Sequence, residues 1–160
     1  MIIRTYRPDD LETLRDLTVE GFDGVSIDQN MEKRFGLING RDWRWRKARH
    51  VDDDAAANPD GLFIAEQDGQ IVGYVSTRLD REAGIGLIPN MVVAAGHRGQ
   101  GLGRLLIAYA LDYFRSQGLN YAKIETLDQN AIGQHLYPAS GFVEVARQIH
   151  YVMDLGGEPK

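Results

Sequence analysis

Val92-Val93-Ala94-Ala95-Gly96-His97-Arg98-Gly99-Gln100-Gly101-Leu102-Gly103-Arg104 is the stretch on which the reading of this chain turns. It joins a strand-like run ending at Val93 to a helical pattern opening at Leu102, so its context is strand, turn, helix. Glycine lets backbone approach a ligand closely and take positive φ angles. The N–H groups at a helix start converge on anions, helped by the helix dipole. Arg98 and Arg104 add positive charge at both ends of the loop. Together these residues read as a phosphate cradle, where an ordinary turn into a helix would need neither three glycines nor two arginines.

Spacing narrows the ligand. A dinucleotide fold wants G-x-G-x-x-G in a parallel βαβ unit, but Gly99, Gly101 and Gly103 are spaced two and two. A P-loop needs Lys then Ser or Thr after its last glycine; here Gly101 is followed by Leu102 and Gly103. What remains is Arg98-x-x-Gly101-x-Gly103.

Working outward, Leu102 to Gln117 predicts a helix with Leu102, Leu105, Leu106, Tyr109 and Tyr113 on its apolar face and Gly118 at its end. Upstream, Leu62 to Glu66 and Ile71 to Leu79 flank Asp68-Gly69, a hairpin signal because that pair supplies the positive φ angles of a tight turn. Gly84 to Val93 reads as one further strand, bulged or at an edge where Pro89 cannot donate to a ladder. Ala122 to Leu127 is another strand, and Asn130 to Tyr137 a short helix stopped by Pro138. Strand-like runs continue from Phe142 to Leu155.

The first segment, Ile2 to Tyr6, predicts a strand. A helix follows, opened by Asp9 with Glu12 three positions on, the pattern of a capping box, and faced with Leu11, Leu14 and Leu17. Between residues 25 and 60 the pattern is weaker. Met31 to Leu37 and Trp43 to Val51 read as short helices, with Asp52-Asp53-Asp54 capping another. The sum is a single α+β domain over 1–155 with a tail over 156–160. Its helices lie beside a mixed, mostly antiparallel central sheet, an α/β/α layering.

Composition bounds the class. The chain has 160 residues, 43% hydrophobic and 26% charged, as in ordinary globular domains. With no cysteine there is no disulfide scaffold, no thiolate metal site and no cysteine nucleophile. His50, His135 and His150 show no metal-ligand spacing with one another, so no metal is expected, and His97 reads as a surface residue rather than a base. A net charge of −5 argues against a nucleic-acid or anionic-membrane partner. No apolar run approaches the roughly 20 residues of a membrane span, and residues 1–6 do not read as a signal peptide. The expected location is cytoplasmic.

The Arg98-x-x-Gly101-x-Gly103 motif resembles the pyrophosphate-binding signature of the GNAT family of N-acetyltransferases. The resemblance extends over about residues 60 to 155, and the Arg4 to Leu17 start is similar to the family's first strand and helix. Asn130-Ala131-Ile132 and Leu136-Tyr137-Pro138-Ala139-Ser140-Gly141-Phe142 resemble the family's closing pattern. The resemblance implies a sheet splayed at the cofactor, with acetyl-CoA as co-substrate. Arg98, Gly99, Gln100, Gly101, Leu102, Gly103 and Arg104 would hold its pyrophosphate. Backbone of Met91, Val92 and Val93 would pair with the pantetheine amides like an added strand, and Asn130 would hydrogen-bond the same arm, unless it serves as a helix cap. Tyr137 would protonate the leaving thiolate, a general-acid role, or simply pack as an aromatic. The implied reaction is direct acetyl transfer to a primary amine of a small molecule or peptide, a route that needs no cysteine. A non-catalytic acyl-CoA-binding module on the same fold is the alternative.

Two departures stand out. Ala95 occupies a position where many members have Pro. Ile88-Pro89-Asn90 occupies the region where many carry the glutamate that deprotonates the amine, leaving Glu66, Glu125 and Asp128 as candidates by their places near neighbouring strands. The remaining feature is Arg41-Asp42-Trp43-Arg44-Trp45-Arg46-Lys47-Ala48-Arg49-His50, with both tryptophans and five Lys or Arg. It suits a nucleic-acid surface. It also suits an amphipathic helix with Trp43 and Lys47 on one face, its tryptophans buried and its arginines solvated or paired with Asp52 to Asp54. At this net charge the helix is favoured. As part of the variable 21–60 segment it would shape the acceptor pocket, and its arginines would suit a carboxylate-bearing acceptor. The sequence is compatible with a homodimer.

Overall fold

The computed structural model describes residues 1–156; the rest of the expected tail, 157–160, lies outside the described residues. The elements in chain order are β1 (Ile2–Thr5), α1 (Leu11–Gly21), α2 (Ile27–Phe35), α3 (Trp43–Ala57), β2 (Phe63–Gln67), β3 (Gln70–Val75), β4 (Arg78–Asp80), β5 (Ile85–Ile88), β6 (Met91–Val93), α4 (Leu102–Ser116), β7 (Tyr121–Ile124) and α5 (Ala131–Ala139). β1, β2, β3 and β6 form one antiparallel sheet in that spatial order. β4, β5 and β7 form a second, in which β5 and β7 run parallel. The hairpin between β2 and β3 turns through Asp68 (φ 51°) and Gly69 (φ 76°), as the Asp-Gly pair requires.

The sheet carries a core on each face, because successive strand residues point to opposite sides. Phe63 and Ala65 of β2 pack with Leu102, Leu106, Ala110 and Phe114 of α4. Leu62 and Ile64 face the other way, onto Leu14 and Leu17 of α1 and Val51 and Ala55 of α3. Each Phe, Leu, Ile or Val side chain among these contributes about 2 kcal/mol by leaving water. The buried stripe of α4 is Leu102, Leu106, Ile107, Ala110 and Phe114. Leu105 and Tyr109, expected on that face, are each more than 40% exposed, so the stripe is centred about one position later.

Several boundaries move for tertiary reasons. Asp9 does not open α1. Asp10 does, its carboxylate accepting from the Arg7 N–H (2.7 Å) and from the Arg4 guanidinium (2.9 Å), which holds it below the ordinary carboxylate range. α2 starts early, at a Ser26 cap that accepts from the Asp28 N–H. α3 starts at an Asp42 cap and runs straight through Asp52-Asp53-Asp54, which cap nothing. Asp52 instead pairs with Arg15 of α1 at 2.8 Å.

α5 likewise continues past Pro138. It ends in a Schellman motif: with Gly141 at φ 100°, the Phe142 N–H bonds the Tyr137 carbonyl and the Gly141 N–H that of Pro138. The Phe142 ring lies edge-on to Tyr137, centroids 6.3 Å apart. The strands expected from Phe142 to Leu155 are not formed; the segment 143–155 joins no ladder among the described residues. No helix of the described residues is long and apolar enough to cross a membrane.

Candidate active site

The glycine-rich stretch is a short 3-10 turn (Ala95–His97) and an open loop ending at the N-terminus of α4. Gly99 (φ 75°) and Gly101 (φ 82°) take left-handed backbone that a side chain would strain, and a Cβ on either would meet nothing within 4 Å. Their glycines are there for conformation. Gly103 is there for closeness: a Cβ on it would lie 3.0 Å from Leu136 Cδ2 and 4.0 Å from Val93 Cγ2. At this point α4, α5 and β6 meet. The first internal bond of α4 is from the Leu105 N–H to the Gly101 carbonyl. Among the described residues, the N–H groups of Gly99, Gln100, Gly101, Leu102, Gly103 and Arg104 have no protein partner. No acidic side chain occupies the first turn of α4, while Arg104 adds a cation there against the dipole. A run of unpartnered donors with a cation beside it is chemistry arranged for an anion.

The wedge beside the loop comes from one strand divided in two. β5 pairs with β7 up to Ile88↔Ile124. Pro89 then interrupts, and β6 leaves to pair with β3. The Ser76 N–H bonds the Asn90 carbonyl and the Ala94 N–H bonds that of Val72. Antiparallel bonding alternates, so Val92 faces β3, while Met91 and Val93 direct their N–H and C=O into the wedge. Of the three backbones expected to meet a pantetheine arm, Met91 and Val93 face away from β3 and Val92 faces it. The Arg98 Nε–H already donates to the Val93 carbonyl at 3.2 Å.

A buried polar network holds the division open. Asp54 of α3, 2% exposed, accepts from Asn90 Nδ2 (2.6 Å), Ser76 Oγ (2.8 Å) and Arg78 Nη2 (3.0 Å). The Ser76 Oγ accepts the Asn90 N–H at 3.0 Å, and Lys47 Nζ donates to Asn90 Oδ1 at 2.9 Å. Lys47 also lies 3.7 Å from the Phe22 ring centroid and 3.2 Å from His50 Nδ1. His50 Nε2 is 3.6 Å from Asp28. Burial, then the neighbouring Lys47 charge, lowers the His50 pKa. These bonds replace ladder bonds lost where β5 and β6 part. The sequence signals were an Asn after a mid-strand Pro and a run of Asp too long for a cap; neither indicated that they meet.

Burial pushes the Lys47 ammonium down to about 8, against the pull of Asp28 and Asp54. Between pH 8 and 10.5 the unfolded chain therefore binds more protons than the folded one, so stability rises with pH across that window. Urea unfolding should show wild type gaining about 3 kcal/mol relative to Lys47→Met from pH 8 to pH 10.5, at about 1.4 kcal/mol per pKa unit. Parallel profiles for the two proteins would mean that Lys47 ionises alike in both states.

Tyr137 sits on α5, one residue after the Leu136 contact to Gly103. A Cβ on Gly133 would come within 3.0 Å of its ring. Burial raises its pKa, so the hydroxyl is protonated at neutral pH, and it makes no hydrogen bond among the described residues. Asn130 caps α5, accepting from the Gly133 N–H at 3.1 Å and donating to Thr126 Oγ1 at 2.8 Å. The helix-cap alternative for Asn130 is therefore realised in the structure. His97 is half-buried rather than a surface residue, and its Nδ1 is buried without a partner.

Of the carboxylate candidates, Glu66 pairs with Arg4 at 2.7 Å on β2, with β3 between it and β6. It lines a hollow of about 460 Å³ with Arg4 and Asp10, whose charges satisfy one another. Glu125 directly follows β7 where the sheets part, and Asp128 lies in the exposed loop before α5. In the Trp/Arg segment, Trp43 is buried as expected, and Lys47 is buried with it. Trp45 is not in the core; it lies half-exposed between the Arg41 and Arg49 guanidinium groups, 3.9 and 4.4 Å from its ring centroid. Arg46 pairs with Asp28 at 3.4 Å, not with Asp52 to Asp54.

A family model described as "Acetyltransferase (GNAT) family" matches residues 26–142. The chain belongs to that family. It is similar to a mycothiol acetyltransferase of Streptomyces avermitilis, 31% identical over 116 residues, covering 72% of this chain and 36% of that protein. It is also similar to a streptothricin acetyltransferase of Streptomyces lavendulae, 28% identical over 87% of this chain and 79% of that protein. This chain spans about a third to a half of the mycothiol acetyltransferases it matches. Among solved structures it resembles AAC(6')-Iy in complex with a bisubstrate analog, with TM-score 0.64, 25% identity and coverage of 96% of this chain and 97% of that one.

Proposed function

We propose that this protein is an acetyl-CoA-dependent N-acetyltransferase acting on a primary amine of a small molecule. The observation that carries the reading is the run of unpartnered N–H groups from Gly99 to Arg104, set beside the free edge of β6 and within one helix of Tyr137. The loop would take the pyrophosphate of acetyl-CoA, and Met91 and Val93 would bond the pantetheine amides as an added strand. Relatives whose names specify mycothiol and streptothricin acetyltransferases support a small-molecule amine over a protein.

In the reaction the amine nitrogen attacks the thioester carbonyl carbon, and the bond from that carbon to sulfur breaks. The amine gives up one proton to solvent or to Glu125 at the mouth of the wedge. Tyr137 supplies one to the departing sulfur and is reprotonated afterwards, so the balance is one N-acetyl amine and one free thiol. Asp54, Asn90 and Lys47 act through backbone position, keeping β6 apart from β7. Release of free thiol from acetyl-CoA across a panel of amino sugars, aminoglycosides and amino acids tests the reading. Thiol release that depends on one amine class is the expected result. Tight coenzyme binding without turnover on any amine would leave a binding module instead.

A further inference from the structure

The turn between α1 and α2, with the first part of α2, reaches across to the loop between β7 and α5. Gln129 Nε2 donates to the Gly24 carbonyl at 2.7 Å and to Asn30 Oδ1 at 3.2 Å, and Asn30 Nδ2 donates back to Gln129 Oε1 at 2.8 Å. The two side-chain amides form a reciprocal pair between residues 99 positions apart in the chain. Each half is held in place on its own side. The Gly24 N–H donates to Gln29 Oε1, and Gln29 Nε2 to Asp23 Oδ1 at 2.7 Å. Opposite, the Asn130 N–H bonds the Leu127 carbonyl and Gln134 Nε2 bonds that of Asp128.

The pair links the two walls of the wedge. The end of α1 is pressed onto β6, since a Cβ on Gly21 would lie 2.5 Å from Val92 Cγ1. The 125–130 loop leaves β7 where the sheets part and leads into α5, which carries Tyr137. A tie from Gly24 and Asn30 to Gln129 therefore joins the β6 wall to the Tyr137 wall. Gly24, Asn30 and Gln129 are all exposed, in contrast to the buried Asp54 network. A hydrogen bond between exposed neutral groups adds little net stability, because water replaces it when it breaks. The tie is closed in the free protein and easily opened. Its primary amides each carry donors and acceptors, the complement of hydroxyl and amino groups.

We propose that the Asn30–Gln129 pair is a clasp that selects the acceptor: amines whose neighbouring hydroxyl or amino groups take over its hydrogen bonds are admitted and held, and plain alkylamines gain nothing from it. The proposal rests on the reading of the wedge as an acetyltransferase site, and it names Asn30 and Gln129 as specificity-determining residues of that site. An acceptor that replaces the amide–amide bonds with its own opens the clasp without leaving polar groups unpaired, whereas an alkylamine must leave them to water.

Gln129→Ala removes the reciprocal pair and the bond to Gly24 without changing charge. Hydrogen–deuterium exchange over residues 22–31 should then speed up by about fivefold, as where a local tie to the rest of the fold is lost. With coenzyme A bound, neamine, an amine with several hydroxyl and amino groups, should bind Gln129→Ala about tenfold more weakly than wild type, while propylamine binds no less tightly. Asn30→Ala should reproduce both shifts, and the double variant should add little to either, because the two side chains make one interaction. Unchanged exchange over 22–31 would overturn the clasp. Equal changes for neamine and propylamine, or no change for either, would overturn its role in selection. Exchange and binding do not use acetyl transfer, so failure here is distinct from failure of the functional reading, which is decided by thiol release.

Discussion

Gly101→Glu should abolish coenzyme A binding while leaving the fold in place. Position 101 has φ 82° and open space where a Cβ would go, so the new side chain meets no steric barrier inside the protein. The backbone cost of a non-glycine residue there is about 1 kcal/mol, small enough for a domain with cores on both faces of its sheet to survive. The functional cost is larger. A carboxylate would stand among the N–H groups of 99–104 and accept their hydrogen bonds itself, competing with any phosphate and repelling it. Isothermal titration with coenzyme A should show affinity falling at least a hundredfold, about 3 kcal/mol. Gly101→Ala separates the two effects, since it carries the same backbone strain without the charge. Its affinity should fall much less, with a similar loss of thermal stability. Equal binding by Gly101→Glu and wild type would remove the loop from the site.

The loop was legible because its chemistry is local. The glycine spacing and flanking arginines sit within seven residues, and Gly99 and Gly101 need their φ angles whatever surrounds them. The Asp68-Gly69 turn was legible for the same reason. The places where the reading missed are those decided at a distance. Asp52 to Asp54 looked like a cap, but Arg15 of α1 and the Ser76–Asn90 pair across the sheet give two of them partners inside a helix. Pro138 looked like a stop, but it stands at the last turn of α5, where Gly141 rather than proline sets the end. Pro89 did indicate an interruption. That Lys47, 43 residues away in the chain, would reach Asn90 to hold the interruption open could not be read from spacing. The strand pattern from Phe142 to Leu155 is real in the sequence, yet no strand pairing forms among the described residues of a single chain.

Tyr137→Phe should lower kcat by roughly a hundredfold or more, the usual scale for a positioned proton donor, with the dissociation constant of acetyl-CoA changed by less than a factor of two. Phe keeps the ring, so the edge-on contact with Phe142 and the packing against Gly133 and Leu136 survive; only the hydroxyl is lost. That hydroxyl has no partner within the described protein, so its removal breaks no structural hydrogen bond and stability should be unchanged. A purely packing role thus predicts no effect at all, and a donor role predicts a loss confined to turnover. Burial raises the Tyr137 pKa above 10, so the group is neutral across the working range and its ionisation cannot produce a fall in rate below that pH. A thiol near 8.5 is a stronger acid than this phenol, so full proton transfer to the sulfur runs uphill. Tyr137 therefore acts by a hydrogen bond that strengthens as charge builds on sulfur, and the proton completes its journey only as the phenol is resupplied from solvent. Steady-state kinetics beside coenzyme titration would show the split: a kcat deficit with unchanged binding. Full activity in Tyr137→Phe would mean that the thiolate departs unassisted.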